Sequence, residues 1–251
     1  MYSSQGYLYT MQVIKVNATD STNLHLKRLM VATPLNDFTV LVADSQLRGI
    51  GQAGTSWSSE PGKNLTVSVL KYFTRVKADQ GFSISMALSL SLIQLFRELK
   101  IPELAIKWPN DIMSGNKKIC GILIENTLKG YMLKQSILGI GINVNQDKFT
   151  NLPHAASLKQ INGVPYPLDD LLDRLLDLVY DSMEEVEQAT KDLSPDYESL
   201  LYMRDERADY EIRGKQVTAA IRGVSPEGRL LLEDDGGQLL SCGLKEIKYP
   251  L

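Results

Sequence analysis

Strand-forming residues on either side of a Pro-Asn-Asp turn constrain this chain more than any other feature. Ala105–Trp108 leads through Pro109, Asn110 and Asp111 to Lys117-Lys118-Ile119-Cys120-Gly121-Ile122-Leu123-Ile124-Glu125. Three lysines, an aspartate and a glycine are set among β-prone residues. That suits a rigid hairpin presenting positive charge beside a closely approached pocket. Lys107 lies between Ile106 and Trp108, so neighbours hold its stem while its ammonium points to one face. A fixed lysine can neutralise a carboxylate and a phosphate that would otherwise repel. Asp111 is then a candidate for Mg²⁺ or for orienting an incoming amine. Gly121 bares the strand where a ligand packs on backbone. Spacing alone leaves a second reading level with this one: exposed strand lysines, an ordinary turn and a bulge glycine.

Around this hairpin the pattern predicts a mixed α and β chain. Tyr7–Val16 reads as a first strand, and Asp20-Ser21-Thr22-Asn23 offers N-cap chemistry for a helix through Leu24, Leu26, Leu29 and Met30. Phe38–Ala43 and Asn64–Leu70 read as strands. Phe82–Lys100 is apolar around most of its circumference, which predicts a central buried helix ended by Pro102. Strands follow near Lys118–Glu125 and Met132–Val144. Asn145–Tyr166 reads as a long irregular connection, Pro167–Glu187 as an amphipathic helix, and Asp196–Met203 as a further helix. After Arg207 come Tyr210–Ile212, Gln216–Ile221, Arg229–Leu232 and Gln238–Ser241, short strands separated by glycine turns, which suggest a small β-barrel. The domain boundary falls near Asp205, giving units 1–205 and 206–251.

Gly49-Ile50-Gly51-Gln52-Ala53-Gly54 matches a dinucleotide fingerprint, but Pro61-Gly62 leads to another strand rather than to the helix that fingerprint needs. Such a loop can still fold over a ligand, its backbone N–H groups making an anion-binding concavity capped by Trp57. A mobile surface loop with a core tryptophan is the plainer reading. Gly139-Ile140-Gly141-Ile142-Asn143-Val144-Asn145 leaves one strand face as bare backbone plus asparagines. That suits a flat ring with its polar edges read by amides, or simply a tightly packed strand.

Composition narrows the function. The 251 residues carry a net charge of only −3, with Lys and Arg dispersed, so neither nucleic acid nor a membrane surface is an expected partner. Cys120 and Cys242 lie far apart with no ligand spacing and read as small buried hydrophobes. Met1–Gly6 carries no leader pattern, and the apolar run Phe82–Phe96 is shorter than the roughly 20 residues of a membrane span. A cytoplasmic protein is expected.

Taken in order, five segments resemble the bacterial biotin protein ligases along the whole chain. They are Asp20–Asn23, Ala43–Gln46 with the loop through Trp57, Lys107–Asp111 (KWPND), Lys118–Glu125 and Gly139–Asn145. The resemblance implies an α+β fold: a mixed-sheet catalytic domain of the biotin/lipoate ligase type with a small C-terminal SH3-like β-barrel. It implies a biotin–[acetyl-CoA-carboxylase] ligase that uses ATP and Mg²⁺ to form biotinyl-5′-AMP. Biotin then passes to a lysine of a biotin carboxyl carrier domain of a biotin-dependent carboxylase. By the same resemblance Ser21, Thr22, Asn23, Gln46, Gly49 and Gly121 would hold biotin. Ile50, Gly51, Gln52, Trp57, Lys107, Asn110 and Asn143 would line the ATP and adenylate side. Lys107, Asp111 and Lys118 would be catalytic, and the barrel would help dock nucleotide or carrier. Metal ligands stay unassigned, and the assembly is a monomer or homodimer.

Two departures from the family pattern stand out. Its loop reads G-R-G-R-x-G-R, whereas Ile50, Gln52 and Thr55 stand here at the arginine positions, with Arg48 nearby. Losing planar bidentate donors predicts weaker retention of the adenylate. About 19 residues precede the serine-threonine element, too few for the winged-helix domain of repressor-type members, so no transcriptional role is expected. The rival readings are a lipoate–protein ligase of the same fold and a degenerate non-catalytic binder of biotin or carrier.

Overall fold

The computed structural model describes residues 11–250. Strand β1 (Val13–Thr19) runs through helix α1 (Thr22–Ala32) into β2 (Val40–Gln46). β1 and β2 pair in parallel, and α1 is the crossover that such pairing requires. Of the strand expected over Tyr7–Val16, Tyr7–Thr10 lie outside the described residues, and Val13–Val16 fall within β1. A small hairpin follows, β3 (Gly49–Ile50) with β4 (Ser56–Trp57), then β5 (Leu65–Tyr72) and α2 (Phe82–Glu98). Next come β6 (Leu104–Lys107), β7 (Asp111–Ser114), β8 (Lys117–Lys129) and β9 (Met132–Ile142). The mixed seven-stranded sheet has the order β1-β2-β5-β9-β8-β7-β6.

Alternation along these strands sorts the two faces. Val40, Val42, Leu65, Val67, Leu138 and Ile140 point to the main core, where α2 lies with Leu88, Leu92 and Phe96 fully buried. Ser91 sits in that apolar helix because its hydroxyl donates to the carbonyl of Ala87 and reaches the carbonyl of Leu178 on the next helical layer. The opposite face carries a smaller cluster, Leu26, Leu41, Leu70 and Ile137, under α1. Beyond it the same face turns polar and bare, with Thr66, Ser68, Gly121, Gly139 and Gly141.

After β9 the connection is mostly irregular, as expected, but holds one short helix, α3 (Leu158–Asn162). The Ser157–Gln160 capping box starts it, and that spacing was present in the sequence. Helix α4 (Leu168–Gln188) buries Leu171, Leu172, Leu175, Leu176 and Val179. The helix expected over Asp196–Met203 is only α5 (Ser194–Glu198). Tertiary pairing overrides helix propensity there. Leu200 accepts from the Ile106 amide at 2.7 Å and Tyr202 donates to the Ile106 carbonyl at 2.9 Å, covering the edge of β6.

The remaining strands are β10 (Arg207–Ile212), β11 (Lys215–Val224), β12 (Leu230–Asp234), β13 (Leu239–Cys242) and β14 (Ile247–Lys248). They form an antiparallel sheet in the order β13-β12-β11-β10-β14, consistent with the SH3-like barrel expected. β14 was not anticipated, because two residues carry no period. Trp108 ties this sheet to the first through an Nε1–H bond of 3.0 Å to the Gly228 carbonyl. Cys120 and Cys242 are both free and buried. Among the described residues no helix is long and apolar enough to cross a membrane.

Candidate active site

A cavity of about 270 Å³ opens on the polar face of the large sheet. One wall is the start of α1. Ser21 occupies the helix-cap position, yet its side chain makes no cap bond, which corrects the expected capping. The polar run serves the cavity instead. Gln46 Oε1 accepts from the Thr22 amide at 2.8 Å and from its hydroxyl at 3.1 Å. Asp20 accepts from the Ser21 amide at 2.8 Å and takes a two-point ion pair from Arg28. Those partners hold its carboxyl well below the usual range, Arg28 contributing most.

Asn23 is the anchor of the wall. Its Oδ1 accepts from Ser68 at 2.6 Å, and its Nδ2 donates to Glu125 at 2.8 Å and reaches the Leu123 carbonyl at 3.3 Å. Lys27 pairs with the other Glu125 oxygen at 2.6 Å. Gly139 makes this possible, since a Cβ there would lie 2.6 Å from Asn23 Oδ1. Ser68, Glu125 and Gly139 were absent from the expected site list. Hydroxyls alternating through the otherwise apolar β5 were the signal.

Gly121 and Gly141 face each other across β8 and β9 and form the cavity floor. The flat ring expected on them is the chain's own. A Cβ at Gly141 would lie 2.5 Å from Trp57 Cε2, and one at Gly121 2.9 Å from Trp57 Cζ3. Trp57 Nε1 is buried with no hydrogen-bond partner among the described residues. The hairpin bearing Trp57 is the glycine-rich loop, which turns through a single 3₁₀ turn, Gln52–Gly54, and no nucleotide-type helix follows it. Ile50, Gly51 and Gln52 line the cavity, whereas Gly49 does not. Gly49 instead lets β3 and β4 meet, its partner being Trp57.

At the far wall Lys118 Nζ pairs with Asp111 Oδ1 at 2.6 Å and stands 5.6 Å over the Trp57 ring. Both residues line the cavity, as does Asn110, whose Nδ2 donates to the Ile122 carbonyl at 2.8 Å. β7 was missed as a strand, because Asp111 was read as part of the turn, and it places Asp111 opposite both Lys107 and Gly121. Lys107 therefore shares the cavity's face of the sheet but is not in its lining. Its ammonium packs 4.7 Å from the Tyr249 ring centroid and 5.9 Å from that of Tyr202. Burial holds it below the ordinary lysine range, Asp111 opposing this and Lys118 adding to it. Asn143 is buried and lines an adjoining cavity of about 340 Å³ with Phe149 and His154. Trp57 and Lys118 border both cavities.

A polar cradle, a glycine floor overlaid by Trp57 and a cationic wall can hold a small ligand by its polar edge while neutralising an anionic end. Residues 15–143 match the model of the biotin/lipoate A/B protein ligase family. The chain belongs to that family. Among the ligases it resembles is the biotin–[acetyl-CoA-carboxylase] ligase of Mycobacterium tuberculosis, 28% identical over 95% of this chain and 89% of that one. The bifunctional ligase/repressor BirA of Salmonella typhimurium is 29% identical, over 86% of this chain and 68% of its own. A solved biotin protein ligase from Aquifex aeolicus, in complex with biotin and ATP, superposes with a TM-score of 0.76. It is 25% identical and the match covers 94% of this chain and 97% of that one.

Proposed function

We propose that this ligase joins biotin to ATP as biotinyl-5′-AMP and passes the biotinyl group to a lysine of a biotin carboxyl carrier domain. The observation that carries the reading is convergence. Ser21–Asn23, Gln46, the loop from Ile50 to Trp57, the pair of Asp111 with Lys118, and the glycines of β8 and β9 are distant in sequence and line one cavity. The biotin-named relatives favour this reading over lipoate as substrate and over a non-catalytic binder.

In the first step the biotin carboxylate attacks the α-phosphorus and pyrophosphate leaves. Two anionic groups must approach, so cations fixed beside them lower the barrier. Lys118 and Lys107 are the cations on this face. Thr22, Asn23 and Gln46 would read the ureido edge of biotin, and Gly121 would let Trp57 settle on the sheet beside the ligand. Trp57 Nε1 offers an unused donor to the adenylate, with Asn143 and the adjoining cavity on the nucleotide side. In the second step a neutral lysine amine attacks the anhydride carbonyl and AMP leaves; Asp111 would orient that amine. Asp111 is the one carboxylate in the cavity lining, and no three-residue acidic, His or Cys cluster occurs among the described residues. That donor set fits Mg²⁺ held largely by substrate phosphates, the ion supplying charge neutralisation when bound. We also propose residues 1–205 as the catalytic unit and 206–251 as an auxiliary one.

Biotin-dependent exchange of pyrophosphate into ATP tests the first step. Lys107→Ala should lower its rate by about 10²–10³, the usual loss for a preorganised electrostatic group. Undiminished exchange in a folded variant would refute the role of Lys107.

A further inference from the structure

Lys107 is a half-buried cation without a counter-ion. Among the described residues no carboxylate comes within ion-pair distance of it, because Asp111 across the β6–β7 pairing is taken by Lys118. What it has instead is aromatic. The Tyr249 ring lies closest, just beyond β14, and Tyr202 flanks it from the segment that covers β6. Tyr249 is itself wedged by Tyr210 of β10, ring centroids 5.7 Å apart and planes at 73°, and by Tyr202 at 6.3 Å. The Tyr249 hydroxyl is buried and has no hydrogen-bond partner among the described residues. Its face, rather than its hydroxyl, is the part that meets a functional group.

We propose that Tyr249 is a positioning residue for Lys107, using its π face to aim the ammonium without neutralising it. An ion pair would hold the lysine more firmly, but its carboxylate would have to be broken away before an anionic ligand could bind. A cation–π contact orients the charge, is weaker than a desolvated ion pair, and leaves the positive charge available. The C-terminal sheet thereby reaches the edge strand β6 of the large sheet: Tyr210 and Tyr249 flank its β10–β14 pair, so the packing of that sheet sets where Lys107 stands. The absence of arginine at Ile50, Gln52 and Thr55 leaves Lys107 and Lys118 as the cations that this alignment must serve.

The inference rests on the ligase reading for its kinetic consequence and is independent of it for the contact itself. Tyr249→Phe keeps a π face; Tyr249→Leu and Tyr249→Met keep apolar bulk without one. Lysine side-chain NMR of the full chain, with Lys107 assigned through Lys107→Arg, reads the ring-current shift of its ε-methylene. Biotin-dependent pyrophosphate exchange reads the chemistry. The expected result is an upfield-shifted Lys107 signal in the native chain and in Tyr249→Phe, lost in Leu and Met. The exchange kcat should fall about tenfold in Leu and Met and less than about twofold in Phe, within the range of a partly desolvated cation–π contact. KM for ATP should move less than kcat. Equal kcat in Phe, Leu and Met would overturn the proposal, as would an unshifted Lys107 signal in the native chain. A shifted signal with no exchange in any form would leave the contact standing and reject the ligase reading.

Discussion

The indole of Trp57 lies on the bare backbone of Gly141, so close that a single added methyl would stand 2.5 Å from Cε2 and 2.6 Å from Cζ2. Loop and floor are therefore fitted to each other before any ligand arrives. Gly141→Ala should displace the ring. Overpacking of this kind costs about 1–3 kcal/mol, measurable by urea unfolding, and should change tryptophan emission. Unchanged emission together with a stability change under about 0.5 kcal/mol would show that the ring does not rest there.

Much of this site could be read in the chain because glycine leaves a gap in a strand pattern and polar residues interrupt apolar alternation. Gly121, Asp111 and Lys118 announced themselves in that way, Asn23 and Gln46 were expected only from the resemblance to the ligases, and the structure brings all five to one cavity. What stayed hidden depends on pairing across distance. Glu125 is an ordinary strand acid until Asn23 is laid across Gly139. The aromatic surroundings of Lys107 come from Tyr202 and Tyr249, far along the chain, and no local period foretells them. Most strands of the large sheet were legible for the same reason as its floor, whereas β7 begins inside the Pro-Asn-Asp turn and β14 is too short to show a repeat. Residues 200–202 follow the edge of β6 instead of their own helical tendency.

Retention of the adenylate should be limited by the loop. Ile50, Gln52 and Thr55 line the cavity where the family pattern carries arginines. Ile50→Arg should slow release of biotinyl-5′-AMP about tenfold, the scale of one charge-assisted bond to phosphate. Release followed by rapid filtration gives the off-rate directly. Equal off-rates in the two chains would contradict the account of the loop.

Acid should loosen the α1 wall through Asp20. Its carboxyl is held below the ordinary value by Arg28 and by the Ser21 amide. A group depressed in the folded state stabilises above its unfolded pKa, and that contribution is lost as pH falls toward the folded one. Asp20→Asn should accordingly be less stable than the native chain near neutrality. The gap in urea unfolding free energy should shrink steadily below about pH 4, where the unfolded carboxyl takes up its proton. A gap that is constant with pH would mean that the charge of Asp20 contributes nothing.

On the proposed reading this cavity makes an activated biotin and delivers it to a carrier lysine. Intact-mass measurement of a purified biotin carboxyl carrier domain, after incubation with the chain, ATP, Mg²⁺ and either biotin or lipoate, tests it most directly. The carrier should gain one biotinyl group, dependent on ATP, and no lipoyl group. A carrier whose mass is unchanged by biotin, or one that gains a lipoyl group instead, would contradict it.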